Sequence, residues 1–195
     1  MKDGAIHLIR HSLTTGNENR WIYGRTDLPL SENGLRLLEE LTAQGIYPGA
    51  AGCDFVSSGM LRANQTLRVI YGDVPFAVEP GLREMDLGDY ECRRHEELEG
   101  DPAYDAWLAD TTGESPVPGG ESVLAFSLRA ERAFDALLLR AERDVIAVCH
   151  GGVISAILYR RGEGLPGNFY DWLPPPAHGF TLTIRGGKIA HAKPI

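Results

Sequence analysis

The segment Asp144-Val-Ile-Ala-Val-Cys149 is apolar after its first residue, and His150-Gly151-Gly152 follows it directly. Such a run is too short for a buried helix and rich in β-branched residues, so it reads as a strand covered on both faces. The glycine pair after it starts a helix. Parallel strands need crossover connections, usually helical, so one such strand constrains the whole chain. Ala5 to His11 (Ala-Ile-His-Leu-Ile-Arg-His) and Cys53 to Ser58 repeat the pattern, and Val74 to Val78 is a shorter third example. Between them lie helical segments. Ser31 caps one that carries Leu35, Leu38 and Leu41 on one face and ends at Gly45. A second runs from Leu61 to Tyr71, with Leu61, Ala63, Leu67 and Ile70 available for packing. A long one spans Glu121 to Glu142, with Val123, Phe126, Ala130, Phe134 and Leu137 at helical spacing. The tail from Gly179 to Ile189 reads as two strands around Arg185-Gly186-Gly187. The expectation is an α/β fold, three layers in α/β/α order around a mostly parallel central sheet. Residues 1–195 read as one domain, with a lid-like insertion at about 85–120 where the pattern weakens and Pro102, Pro116 and Pro118 punctuate it.

Charge narrows the function. The formal net charge of −8 argues against a general nucleic-acid binder or a protein held on an anionic membrane. A local pocket of Arg and His can still take a small anion. Cys53, Cys92 and Cys149 form neither a disulfide framework nor a Cys-x-x-Cys pair, which fits a reducing compartment. Met-Lys-Asp-Gly leads straight into a strand, and no segment approaches the roughly 20 apolar residues that cross a bilayer. The expected location is the cytoplasm, with no membrane partner.

In a parallel sheet all carboxyl ends share one edge, and ligands bind there. Arg10-His11 ends the first strand, Arg62 opens the helix after the second, Glu84 lies past the third, and His150 ends the strongest. Two arginines and two histidines around one crevice make an oxyanion clamp, to which a helix start at Gly151 adds backbone donors. A carboxylic acid at the rim can protonate a leaving oxygen. This is equipment for phosphoryl transfer through a covalent histidine.

Other chemistries fit less well. A phosphatase-type cysteine nucleophile wants an arginine six residues later, but Ser155 follows Cys149 and Gly59 follows Cys53 at that distance. Cys149 reads as a small core residue. A zinc site of His7, His11 and His150 lacks a clear strand face for His7, while His95, His178 and His191 have no ligand spacing. No metal and no cofactor are assigned.

The chain resembles the histidine phosphatase superfamily, the phosphoglycerate mutase-like proteins. Arg10-His11-Ser12-Leu13-Thr14-Thr15-Gly16-Asn17 is similar to the family's Arg-His-Gly-Glu-Thr-x-x-Asn. Gly24 to Gly34 resembles the segment that follows, and Ser57 to Thr66 resembles the Ser-x-x-x-Arg-Ala-x-Gln-Thr block. Leu82 to Glu91, Pro118 to Ser122 and Val148 to Val153 complete the set in family order, to about residue 160. Three positions depart from it: Ser12 stands for glycine, Leu13 for an acidic residue, and Cys92 where relatives often have glycine.

The resemblance implies a role for each matched residue. His11 attacks phosphorus and carries the phosphoryl group, while Arg10, Arg62 and His150 hold its oxygens with help from Asn17 and the Gly151 amide. Glu84 protonates the leaving oxygen, then takes a proton from the hydrolytic water. Tyr23 and Gly24 complete the expected substrate-binding set. The implied activity is hydrolysis of small phosphomonoesters, closest to the α-ribazole and broad-specificity phosphatase branch, on a small phosphorylated metabolite. The alternatives are a mutase-type phosphoryl transferase and a non-catalytic module that binds phosphorylated ligands. A homodimer is compatible with the sequence, though no residue specifies one.

Overall fold

The computed structural model describes residues 3–140 and 142–195. In chain order the elements are β1 (Gly4–Arg10), α1 (Thr15–Glu18), α2 (Glu32–Ala43), β2 (Cys53–Ser57), α3 (Leu61–Tyr71) and β3 (Ala77–Val78). Then come α4 (His95–Leu98), α5 (Pro102–Ala109), α6 (Val123–Arg140), β4 (Asp144–Cys149), α7 (Gly151–Arg161), β5 (Gly179–Arg185) and β6 (Lys188–Pro194). The strands form one sheet in the order β3-β2-β4-β1-β5-β6. Pairings among β3, β2, β4 and β1 are parallel, while β5 and β6 join antiparallel at one side. The mostly parallel α/β/α reading holds.

Strand alternation divides the core. Leu8, Ala147 and Cys149 face one layer, where Phe126, Phe134, Ile154 and Ile157 of α6 and α7 cover them. Ile9, Ile146 and Val148 face the other, against Ala63 and Leu67 of α3. Helix α2 then packs on α3 through Leu38 and Leu41, and the Ser31 hydroxyl caps it by accepting from the Gly34 N–H.

Register sets the site. Arg10 lies opposite Cys149, and Ser57 lies opposite Val148. Three adjacent strands therefore run out together, and the next residues, Ser58, His150 and His11, stand side by side at the carboxyl edge.

The sequence reading needs correction where local pattern and tertiary context part. The third strand is only Ala77–Val78, since Pro75 offers no N–H to a ladder. Leu35, Leu61 and Val123 sit in the first turns of their helices at 37%, 40% and 36% exposure, outside the packed stripe. In α2 the buried position belongs to Gly34, where an added Cβ would fall 2.1 Å from the Leu13 carbonyl oxygen. The long helix starts at Val123 rather than Glu121, because the Ser122 hydroxyl caps it and the Glu121 carboxylate is engaged elsewhere. It ends at Arg140, and Ala141 lies outside the described residues. At the other end of the chain, β6 continues to Pro194, past the expected Ile189.

The 85–120 segment carries α4 and α5 over the site. Tyr90, Leu98 and Tyr104 are buried in it, and the Tyr90, Tyr104 and Trp107 rings pack with centroids 5.1 to 6.0 Å apart. Two carboxylates tie the segment down. Glu91 accepts the N–H groups of Gly24, Arg25, Thr26 and Leu87. Glu121 accepts the Asp86 N–H and is gripped twice by the Arg129 guanidinium.

Candidate active site

A cavity of about 950 Å³ opens at the carboxyl edge, and Arg10, His11, Asn17, Tyr23, Arg62 and Glu84 line it. Gly24, His150 and Gly151, the remaining expected residues, are buried and are not part of that lining. His11 is buried, and its Nδ1 lies 2.6 Å from the Ser12 carbonyl oxygen. A carbonyl only accepts, so Nδ1 carries the proton and Nε2 keeps its lone pair. Burial, then the Arg62 charge, pulls the imidazole pKa well below its ordinary value; the Ser12 hydrogen bond opposes this and Arg10 adds to it. His11 is therefore neutral at physiological pH. The imidazole is held in one tautomer, with the Nε2 lone pair free.

His150 packs edge-on against that ring at 5.1 Å, fully buried. Among the described residues its Nδ1 has no hydrogen-bond partner, and neither do the buried Nε atoms of Arg10 and Arg62. Terminal nitrogens of both guanidiniums are bonded. Arg10 donates to the Pro174 carbonyl at 2.7 Å, and Arg62 donates to the carbonyls of Gly24 and Thr26 at 2.7 and 2.9 Å. Arg62 also lies over the Tyr23 ring, 5.2 Å from its centroid. Buried nitrogens without hydrogen-bond partners are rare in native proteins, and here three lie close to His11. An anion is the kind of partner that would satisfy them.

Asn17 presents its amide nitrogen, since its Oδ1 already accepts from the Thr14 backbone and the Tyr23 hydroxyl. Glu84 is held through the carboxylate by the N–H groups of Met85 and Gly152, both at 3.0 Å. A Cβ on Gly152 would fall 2.6 Å from Glu84 Oε1, and one on Gly151 would fall 3.1 Å from Arg10 Nε. The glycine pair at the start of α7 thus makes room for the acid and the clamp.

The departures in the opening motif are accommodated. Ser12 has no positive φ, and its hydroxyl donates to the Gly34 carbonyl at 2.8 Å. Cys92, in contrast, holds φ +60°, the left-handed region that suits glycine.

Sequence reasoning missed several supports. Arg129 donates to the carbonyls of Gly81, Arg83 and Glu84 and so holds the loop that carries the acid. Glu91 and Glu121 stand inside the motif blocks, but only their partners reveal their work. The Pro174-Pro175-Pro176 stretch supplies the Arg10 acceptor. It leads into Ala177 at φ +65°, whose N–H bonds the His11 carbonyl. His7 bonds Thr181 across β1 and β5, and no cluster suited to a metal ion occurs among the described residues. No helix among them is long and apolar enough to cross a membrane.

The family model of the histidine phosphatase superfamily (branch 1) matches residues 6–191, and the chain belongs to that superfamily. It is a phosphomonoesterase of the histidine phosphatase type. The adenosylcobalamin/alpha-ribazole phosphatase of Escherichia coli K12 is 33% identical over 164 residues, covering 80% of this chain and 77% of that protein. A "Probable phosphoglycerate mutase GpmB" of Yersinia pestis is 29% identical over 163 residues, 78% of this chain and 72% of that one. Among solved structures, the alpha-ribazole phosphatase of Shigella flexneri matches with a TM-score of 0.83 at 26% identity, covering 96% of this chain and 95% of that one.

Proposed function

We propose that this enzyme cleaves small phosphomonoesters by passing the phosphoryl group through His11. The observation that carries the reading is the set of buried nitrogens on Arg10, Arg62 and His150 without partners among the described residues, beside a histidine whose Nε2 is free. The His11 Nε2 lone pair forms a bond to phosphorus as the bond to the ester oxygen breaks. Glu84 gives its proton to that oxygen, and the alcohol leaves. Water then attacks phosphorus, Glu84 takes the water's proton, and the P–N bond breaks to return neutral His11 and inorganic phosphate. The clamp acts most strongly on the charge that builds up on the equatorial oxygens in the transition state.

The leaving group faces Trp21, Ile22, Leu87, Trp107, Phe126 and Phe169. A wall of this kind suits a bulky, flat leaving group better than a glycerate, and the 85–120 segment acts as its lid. Phosphates of the kind named for the relatives, alpha-ribazole-5′-phosphate among them, fit this reading. A panel of phosphorylated nucleosides, sugars and glycerates tests it. The highest kcat/KM is expected for aromatic nucleoside phosphates, with phosphate released and no isomerised product. A preference for glycerates with an isomer formed would instead establish the mutase alternative. A chain that binds every phosphate and releases none would be the non-catalytic module.

A further inference from the structure

His150 stands between two neighbours at the sheet edge. On one side is His11; on the other is Ser58, whose N–H donates to the Val148 carbonyl at 3.1 Å and so extends the β2–β4 ladder by one bond. Ser58 is fully buried, and its Oγ lies 2.9 Å from His150 Nε2. The same Oγ accepts from the Met60 N–H at 3.4 Å. A serine hydroxyl has one proton and two lone pairs, so with one lone pair facing Met60 the proton remains to be donated.

The charges around His150 decide which ring nitrogen matters. Arg10 and His11 face it from β1 and the residue after it, Arg62 from α3 and Arg129 from α6. Burial first, then Arg62, His11, Arg10 and Arg129, holds its pKa well below the ordinary value. A cationic imidazole would offer an N–H at both nitrogens, but a neutral one has a single N–H to place. Placed on Nε2, it would leave the Ser58 proton without an acceptor and turn a lone pair toward the bound anion.

Building on the assignment of the clamp to a phosphoryl group, we propose that Ser58 is a positioning residue that sets the tautomer of His150. Its hydroxyl donates to Nε2 and keeps the imidazole proton on Nδ1, the atom left without a protein partner. Ser58 thus completes the set of anion donors without touching substrate.

The test is side-chain ¹H–¹⁵N correlation spectroscopy of the ligand-free protein at neutral pH, with Ser58→Ala beside the wild type. In the wild type the His150 proton is expected on Nδ1, and in Ser58→Ala it moves wholly or partly to Nε2. Inorganic phosphate should bind the variant about tenfold more weakly, whereas binding within about twofold of the wild type overturns the proposal. A wild-type proton on Nε2 overturns it equally, with no variant required. The tautomer is read without substrate, so failure to find phosphate on His11 would count against the proposed reaction and leave the Ser58 result standing.

Discussion

The two halves of the cavity are built differently. The phosphate half hangs from the ends of three hydrogen-bonded strands, with His11, Ser58, Arg62 and His150 all buried. The leaving-group half comes from short helices, loops and the start of α6, fastened by Glu91 and by the Glu121–Arg129 pair. The contrast separates two demands. Recognition of a phosphoryl group needs fixed dipoles and charges, and a parallel sheet edge supplies them at little further ordering cost. Choice of leaving group needs shape, and a segment outside the sheet can vary without disturbing the clamp.

Glu84 joins the halves, and its removal should have the largest effect. Glu84→Gln is expected to slow turnover by about 10³-fold for alkyl phosphates. The loss should be smaller in the first, burst phase with p-nitrophenyl phosphate, whose leaving group needs no proton. Equal losses in both assays would place the proton donor elsewhere. Within the clamp, Arg62→Lys keeps the charge but not the fork that reaches Gly24, Thr26 and the site together. We expect kcat/KM to fall about 10²-fold across every substrate alike. A loss confined to bulky phosphates would break the division between the halves.

In the 85–120 segment, Glu91→Gln leaves backbone donors unsatisfied and should lower stability by about 2 kcal/mol in urea unfolding. Its kinetic effect should be a raised KM for bulky phosphates only. Burial pushes the Glu91 pKa up, but the hydrogen bonds from Thr26, Arg25 and Leu87 outweigh it, and the net direction is downward. The stabilisation is thus present above the unfolded value of about 4.3 and is lost as pH falls through the folded value, so the variant should show a shallower acid transition.

The clamp carries the opposite kind of titration, in groups that resist charging. His11 and His150 have folded pKa values well below ordinary, so the unfolded chain binds more protons than the folded one between those values and about 6.5. Stability is full above that pH and falls below it, by up to about 1.4 kcal/mol per pH unit for each histidine. His150→Asn should flatten the slope of stability between pH 7.5 and 5.5, and an unchanged slope would place the titrating groups elsewhere. The smallest effect belongs to Cys92, where Cys92→Gly relieves a left-handed backbone and should raise stability by about 1 kcal/mol.

The halves also differ in how legible they were. Arg10, His11 and His150 could be placed from sequence, because a short apolar run fixes a strand and a parallel sheet aligns strand ends. The support for these groups could not. Ser58 pairs with His150 across 92 positions, and Glu91 reaches Thr26 across 65. Long-range polar pairs of this kind leave no periodic trace. The 85–120 segment was readable only as an interruption, since α4 and α5 are too short to show helical spacing. Leu35, Leu61 and Val123 misled for a related reason, as hydrophobic spacing does not tell where a helix's packed stripe begins.

The central claim is that the phosphoryl group rests on His11 between the two steps. Rapid mixing with p-nitrophenyl phosphate, a quench in base to preserve the P–N bond, and peptide mass spectrometry measure it directly. We expect one added phosphoryl group, on the peptide containing His11, absent from His11→Ala and accumulating in Glu84→Gln. Turnover by the wild type with no phosphoryl group on His11 at any quench time, or equal turnover by His11→Ala, would contradict the account.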